Sequence, residues 1–152
     1  MNMMDSYVYH VDVEKTGARQ CRLSVEGMPQ IQISAPPEFA GLPGIWTPEH
    51  LLIAATASCF LTTFQAIAEL HKLDVAEFRM IAFGRLEKVQ GEGYRFTEIT
   101  LAPEIHVAHN DVEKALKVID KAQKNCFVSK SLRTTVQVEP HFVSAVAELA
   151  NV

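Results

Sequence analysis

The stretch Thr47-Pro48-Glu49-His50-Leu51-Leu52-Ile53-Ala54-Ala55-Thr56-Ala57-Ser58-Cys59-Phe60 decides the fold. Thr47 is a good helix N-cap, and Pro48 fits the first helical position, where its missing N–H costs nothing. Glu49 complements the positive end of the helix dipole. No Gly or Pro interrupts the pattern, so the spacing predicts one long helix running to about Leu73. His50 stands where a full capping box has Glu or Gln, which predicts that the reciprocal bond is missing. Ala54, Ala55, Ala57 and Ser58 are small enough to let another backbone approach closely.

On the N-terminal side of this helix, residues 6–14 alternate as a half-buried strand does. Residues 20–25 and 30–34 read as a hairpin around Glu26-Gly27-Met28-Pro29, followed by a Pro- and Gly-rich loop from Ala35 to Trp46. On the C-terminal side, residues 78–89 and 94–108 form a second pair of long strands joined at Gly91-Glu92-Gly93. Asn110-Asp111 caps a second helix, roughly Val112 to Asn125, with Leu116, Ile119 and Ala122 along its apolar face. Residues 133–139 read as another strand and 140–150 as a short terminal helix. Hairpins and helices come in blocks and not in βαβ alternation, so the class is α+β, with residues 1–152 forming one domain.

The composition suits such a domain: of 152 residues, 48% are hydrophobic and 21% charged, well outside the disordered range. The net charge is −4 with no basic stripe, which argues against nucleic acid and anionic membranes as partners. Met1 to Asp5 carry no basic n-region followed by an apolar run, so no signal peptide is expected. The apolar run Leu51–Ala68 is broken by Thr56, Ser58, Thr62, Thr63 and Gln65, which reads as too polar for a membrane span. The expected location is therefore the cytoplasm. Three cysteines in that reducing compartment do not suggest a disulfide framework, and the spacing of Cys21, Cys59 and Cys126 offers no zinc motif. His10, His50, His71, His106, His109 and His141 show no metal-ligand spacing either. No bound cofactor is expected.

By local sequence alone, Cys59 reads as a small apolar core residue, Cys126 as packing at a helix end, and Cys21 as a structural strand residue. Catalytic or redox use of one pair is the other reading. Two motifs bear on that choice: Thr47-Pro48-Glu49-His50-Leu51-Leu52 with Ala54-Ala55 and Ser58-Cys59-Phe60, and Cys126-Phe127-Val128-Ser129-Lys130-Ser131-Leu132. Together they resemble the two cysteine motifs of the OsmC/Ohr family of osmotically inducible and organic hydroperoxide resistance proteins. The resemblance extends from about residue 8 to 140. Phe127 stands where many members have Pro, and Arg19 lacks the flanking glycine pair.

The resemblance implies an intertwined homodimer in which two antiparallel sheets surround long central helices, with active sites at the subunit interface. It implies a thiol peroxidase reducing small hydrophobic peroxides, with Cys59 as peroxidatic cysteine, Cys126 as resolving cysteine, and Arg19 and Glu49 beside them. Arg22 competes with Arg19 for the arginine role. A lipoyl-type dithiol, carried by a lipoylated protein, is the implied reductant. The alternative is a non-catalytic, stress-associated ligand-binding dimer of the same fold. An acyl-transfer or hydrolytic enzyme would need a base beside the thiol, and no Cys/His pairing is visible.

Thiolate, not thiol, attacks peroxide, and a free cysteine has a pKa of about 8.5. Lowering it by about two units takes roughly 2.7 kcal/mol. The helix dipole is a poor source, because Cys59 lies about three turns from Thr47 and the effect fades within the first turn. A nearby cation is a better one, which is the role given to Arg19. Glu49 and Cys59 are separated by about 15 Å along a regular helix and point to different faces. Glu49 therefore serves either as a first-turn acid or as the group orienting Arg19 at the partner chain's site. Phe60, Leu61, Phe64, Trp46 and Phe127 are candidates for an apolar lining.

Overall fold

The computed structural model describes residues 5–144. The chain divides into two compact units, Met1–Leu51 and Leu52–Val152.

In the first unit, β1 (Asp12–Gly17), β2 (Gln20–Ser24) and β3 (Ile31–Ser34) form an antiparallel sheet in that order. Strand β1 starts later than the alternation of residues 6–14 predicts. Pairing begins at Asp12, opposite Ser24. Tyr7, Val8 and Tyr9 stand 78%, 90% and 90% exposed, because a period-2 pattern yields a ladder only where a partner edge is available. The β1–β2 turn places Arg19 in the left-handed region at φ 57. The expected β2–β3 hairpin is present, closed by Met28 N–H on the Val25 carbonyl at 3.1 Å.

The Pro- and Gly-rich loop is folded back on β3. It contains a 3-10 turn at Pro37–Phe39, and Ser34 N–H donates to the Trp46 carbonyl at 3.0 Å. The Ser34 hydroxyl receives Leu42 N–H at 2.8 Å. Gly41 is obligatory here, since a Cβ would sit 1.5 Å from the Ala35 carbonyl oxygen.

Helix α1 (Pro48–Leu70) starts on Thr47, whose hydroxyl accepts His50 N–H at 3.2 Å. The reciprocal bond of a capping box is missing, as expected: His50 Nδ1 lies 2.8 Å from the Thr47 hydroxyl and not on the Thr47 N–H. The helix stops at Leu70, short of Leu73. Lys72 turns left-handed at φ 50, its N–H reaches the Glu69 carbonyl at 3.1 Å, and Leu73 N–H reaches Ala68 at 2.9 Å. This is a Schellman closure with lysine in the place glycine usually takes, anchored by the buried Leu73.

In the second unit, β4 (Glu77–Val89) and β5 (Gly93–Val107) make a long antiparallel hairpin. Helix α2 (Val112–Asn125), a short helix α3 (Phe127–Ser131) and strands β6 (Thr135–Val138) and β7 (His141–Ser144) follow. The sheet is antiparallel only at β4–β5, because β6 and β7 both run parallel to β5. The core joins one face of β5 (Ile99, Leu101, Ile105, Val107) to Phe60, Phe64 and Ala68 of α1 and Ala115, Val118, Ile119 and Ala122 of α2. Each large side chain buried there contributes about 1.5–3 kcal/mol. Gly84 lets α1 settle on the hairpin: a Cβ would lie 2.6 Å from Ile53 Cδ1 and 2.7 Å from Phe96 Cε1.

Two expectations for this unit change. Leu116 is 46% exposed, and the buried stripe of α2 runs instead through Ala115, Val118, Ile119 and Ala122. The expected helix over 140–150 is replaced in its described part by β7, which takes the vacant edge of β5. Residues 145–150 lie outside the described residues.

Helix α1 packs Phe60, Phe64 and Ala68 into the core, and a core helix can pass the same length-and-composition test as a helix that spans a bilayer. By length and composition α1 is long and apolar enough to cross one. The hydroxyls of Thr56, Ser58 and Thr62 return to carbonyls of α1 itself, at 2.8, 2.7 and 3.0 Å, which removes much of their polarity.

Candidate functional site

The site is built where the middle of α1 meets the junction of α2 and α3. Cys59 lies about three turns inside α1, half-buried, with Phe60 on one side in the core and Ser58 facing outward. Cys126 ends α2 and caps α3. Its backbone leaves the helical region (φ −68, ψ 112), and its carbonyl accepts Lys130 N–H at 3.0 Å to start the new helix. That break turns the first N–H groups of α3 back toward the sulfurs.

The two thiols meet, and their environments are opposite. Burial disfavours ionisation of Cys59, but a set of donors outweighs it: Val128 N–H, then the Cys126 thiol, Phe127 N–H and the Thr63 hydroxyl. The net result holds Cys59 below the usual thiol pKa. Burial, the largest influence on Cys126, pushes that thiol up, and the neighbouring Cys59 pushes in the same direction. The Ser129 hydroxyl and N–H pull the other way without reversing it. The Ser129 Oγ donates to Cys126 Sγ at 3.3 Å. Cys126 is 0% exposed, whereas Cys59 keeps part of its surface open.

A pair in contact titrates as a unit, with one proton lost more easily than the other. Of the two singly ionised forms, the favoured one is the Cys59 thiolate receiving the S–H of Cys126. Such an arrangement supplies a nucleophilic sulfur and, beside it, a second sulfur ready to form a disulfide.

Arg19 and Glu49 belong to the first unit. Arg19 is exposed at the β1–β2 turn, and its side chain makes no hydrogen bond or ion pair among the described residues. Arg22 is already engaged, in an ion pair with its cross-strand neighbour Glu14. In the first turn of α1, Glu49 Oε2 is buried without a hydrogen-bond partner among the described residues. Cys21 is a free, half-buried thiol on β2.

Of the proposed apolar lining, Phe60 and Phe64 are core residues, and Phe127 is 78% exposed. Leu61 and Phe64 also line an open cavity of about 440 Å³ with Gln65, Ala68, Leu73 and Phe78. Among the described residues, no group of three or more His, Cys, Asp or Glu side chains is placed to hold a metal.

Sequence reasoning missed the donors. Thr63 was legible, since it follows Cys59 by one helical i, i+4 step and so shares its face. The donors from Phe127, Val128 and Ser129 depend on α3, a helix too short for periodicity to reveal.

The OsmC-like protein family matches residues 41–141. An uncharacterized protein of Bacillus subtilis, YmaD, is 29% identical over 112 residues, covering 70% of this chain and 73% of its own. An OsmC-like protein of unknown function from Vibrio cholerae superposes with a TM-score of 0.81 at 21% identity, covering 90% of this chain and 100% of that one. An organic hydroperoxide resistance protein from Elizabethkingia anophelis superposes with a TM-score of 0.73 at 20% identity, covering 92% and 99%. The chain belongs to the OsmC-like protein family.

Proposed function

We propose that the protein is a thiol peroxidase that reduces organic hydroperoxides to alcohols. The observation that carries this reading is the meeting of Cys59, held below the usual thiol pKa, with a buried Cys126 held above it. The Cys59 thiolate attacks one peroxide oxygen; an S–O bond forms, the O–O bond breaks, and the alkoxide leaves and is protonated to the alcohol. Cys59 is left as a sulfenic acid. The Cys126 sulfur then attacks the Cys59 sulfur, forming the S–S bond and expelling hydroxide, which takes up the thiol proton as water.

The order of events follows from the coupling. While Cys59 is an anion, its charge opposes loss of the Cys126 proton. Oxidation to the neutral sulfenic acid removes that opposition at the moment Cys126 must attack. An external dithiol of the lipoyl type then reduces the disulfide by exchange.

Arg19 is the better choice than Arg22 for the cation that binds the peroxide, because Arg22 is committed to Glu14. Glu49, with a buried and unpartnered carboxylate oxygen, is the group that would hold it. We place that pairing across a homodimer with active sites at the subunit interface. The exposed run Tyr7-Val8-Tyr9 and the apolar length of α1 both call for cover that a second copy would provide. Free thiols at Cys21, Cys59 and Cys126 suit the reducing cytoplasm.

The test is a stoichiometric titration of the reduced protein with cumene hydroperoxide, followed by peptide mapping. Consumption of one equivalent with Cys59 joined to Cys126 is the expected result. Unreacted peroxide with both thiols free would leave a non-catalytic dimer as the better reading.

A further inference from the structure

A hydroxyl beside the second cysteine has no part in the cycle as written above. Ser129 Oγ lies 3.3 Å from Cys126 Sγ and donates to it. The other serine hydroxyls near the two thiols are spent on main-chain carbonyls: Ser131 on Phe127 at 2.8 Å and Ser58 on Ala54 at 2.7 Å. Cys126 is fully buried, so water cannot take over the contact. The local fold fixes the geometry. Cys126 stands at the N-cap of α3 and Ser129 three positions on, the spacing at which a cap side chain and the third helical residue face each other.

The geometry points to Ser129 as the positioning residue of the resolving step: its O–H holds the Cys126 sulfur toward Cys59 and stabilises the charge on that sulfur as it attacks. This rests on the peroxidase reading and assigns a residue to its second half alone. As the S–S bond forms, the S–O bond of the sulfenic acid breaks, and hydroxide leaves with the proton lost by Cys126. The Ser129 proton remains on its own oxygen, so Ser129 acts as a donor and is not consumed. The Ser129 hydroxyl and N–H are the influences that pull the Cys126 thiol down against burial, so removing the hydroxyl leaves the thiolate scarcer.

The experiment compares Ser129→Ala and Ser129→Thr with the unmodified protein in single-turnover reactions with cumene hydroperoxide. Peroxide loss, dimedone-trapped sulfenic acid and Cys59–Cys126 disulfide are followed separately. For Ser129→Ala the expected result is peroxide loss at the original rate, disulfide formation slower by about tenfold, and accumulated sulfenic acid. Ser129→Thr should restore the disulfide rate. Disulfide formation at the original rate in Ser129→Ala, or equal slowing in both variants, would overturn the assignment.

A second readout does not depend on peroxide turnover. With Cys21→Ser and Cys59→Ser in place, ultraviolet thiolate absorbance follows Cys126 alone. Adding Ser129→Ala should move its ionisation to higher pH, and Ser129→Thr should not. An unmoved profile would overturn the proposal even if the protein consumes no peroxide, while failed peroxide consumption with a moved profile would fault the peroxidase reading instead.

Discussion

The middle of α1 and the α2–α3 junction carry the same functional group and treat it in opposite ways. At Cys59 the helix is continuous, so its own N–H groups are satisfied internally and contribute nothing to the sulfur. The stabilising donors come from elsewhere: Val128, Phe127 and Cys126, with Thr63 one turn further along. At Cys126 the helix breaks, and the residue stands at the N-cap position of the next one with its sulfur buried completely. The difference shows that burial alone does not set the character of a thiol; what counts is whether the break in a helix aims donors at it. One short helix, α3, serves both sulfurs and gives them unequal shares.

The sharpest way to break the comparison is to exchange the residues. Cys59→Ser should abolish peroxide consumption, whereas Cys126→Ser should allow one turnover and stop at a sulfenic acid trapped by dimedone and read by mass spectrometry. Equal loss in both variants would mean that the two thiols do not differ in role.

A smaller effect is expected when a single donor is removed. Thr63→Val should raise the Cys59 pKa and slow peroxide attack near neutral pH by about tenfold, as loss of a hydrogen bond to a charged group does. Cys126→Ala, which removes the donating thiol, should act in the same direction, while Cys126→Ser keeps a donor and should act less.

The pH dependence separates the steps. A lowered pKa means that the reactive Cys59 anion is present above that pKa and lost as pH falls through it. Burial keeps Cys126 protonated to higher pH, so the sulfenic acid should live longer at low pH and shorten as pH rises. Rapid-quench trapping across pH measures this lifetime, and a lifetime independent of pH would contradict the assignment of Cys126.

The smallest effect concerns the start of α1. Thr47→Ala removes the cap that receives His50 N–H, costing about 1 kcal/mol and lowering the melting temperature by roughly 2–4 °C. Because the dipole acts only within the first turn, Cys59 ionisation should not change. A changed ionisation would show that α1 itself supports the thiolate.

Much of the fold was legible where local chemistry agrees with the final packing. Thr47-Pro48 marks the start of α1, the Gly91-Glu92-Gly93 junction marks the β4–β5 hairpin, and α2 falls where its pattern predicts. The errors lie where distant partners decide. β7 became a strand because β5 offered an edge, not because His141–Ser144 announces one. Leu116 shares helical spacing with Ile119, yet the core selects the neighbouring stripe. The cysteine pair was suggested by two motifs whose resemblance to a family links them across the chain; local sequence assigned both to packing. The donors that distinguish them were hidden, since a five-residue helix leaves no periodic trace.

The unequal poise of the two thiols is tested most directly by titrating thiolate absorbance in a Cys21→Ser background, with and without Cys59→Ser or Cys126→Ser. The expected result is one ionisation below the usual thiol range that disappears with Cys59, and a second above it that disappears with Cys126. Two thiols ionising together in the ordinary range, or an early ionisation that survives Cys59→Ser, would contradict it.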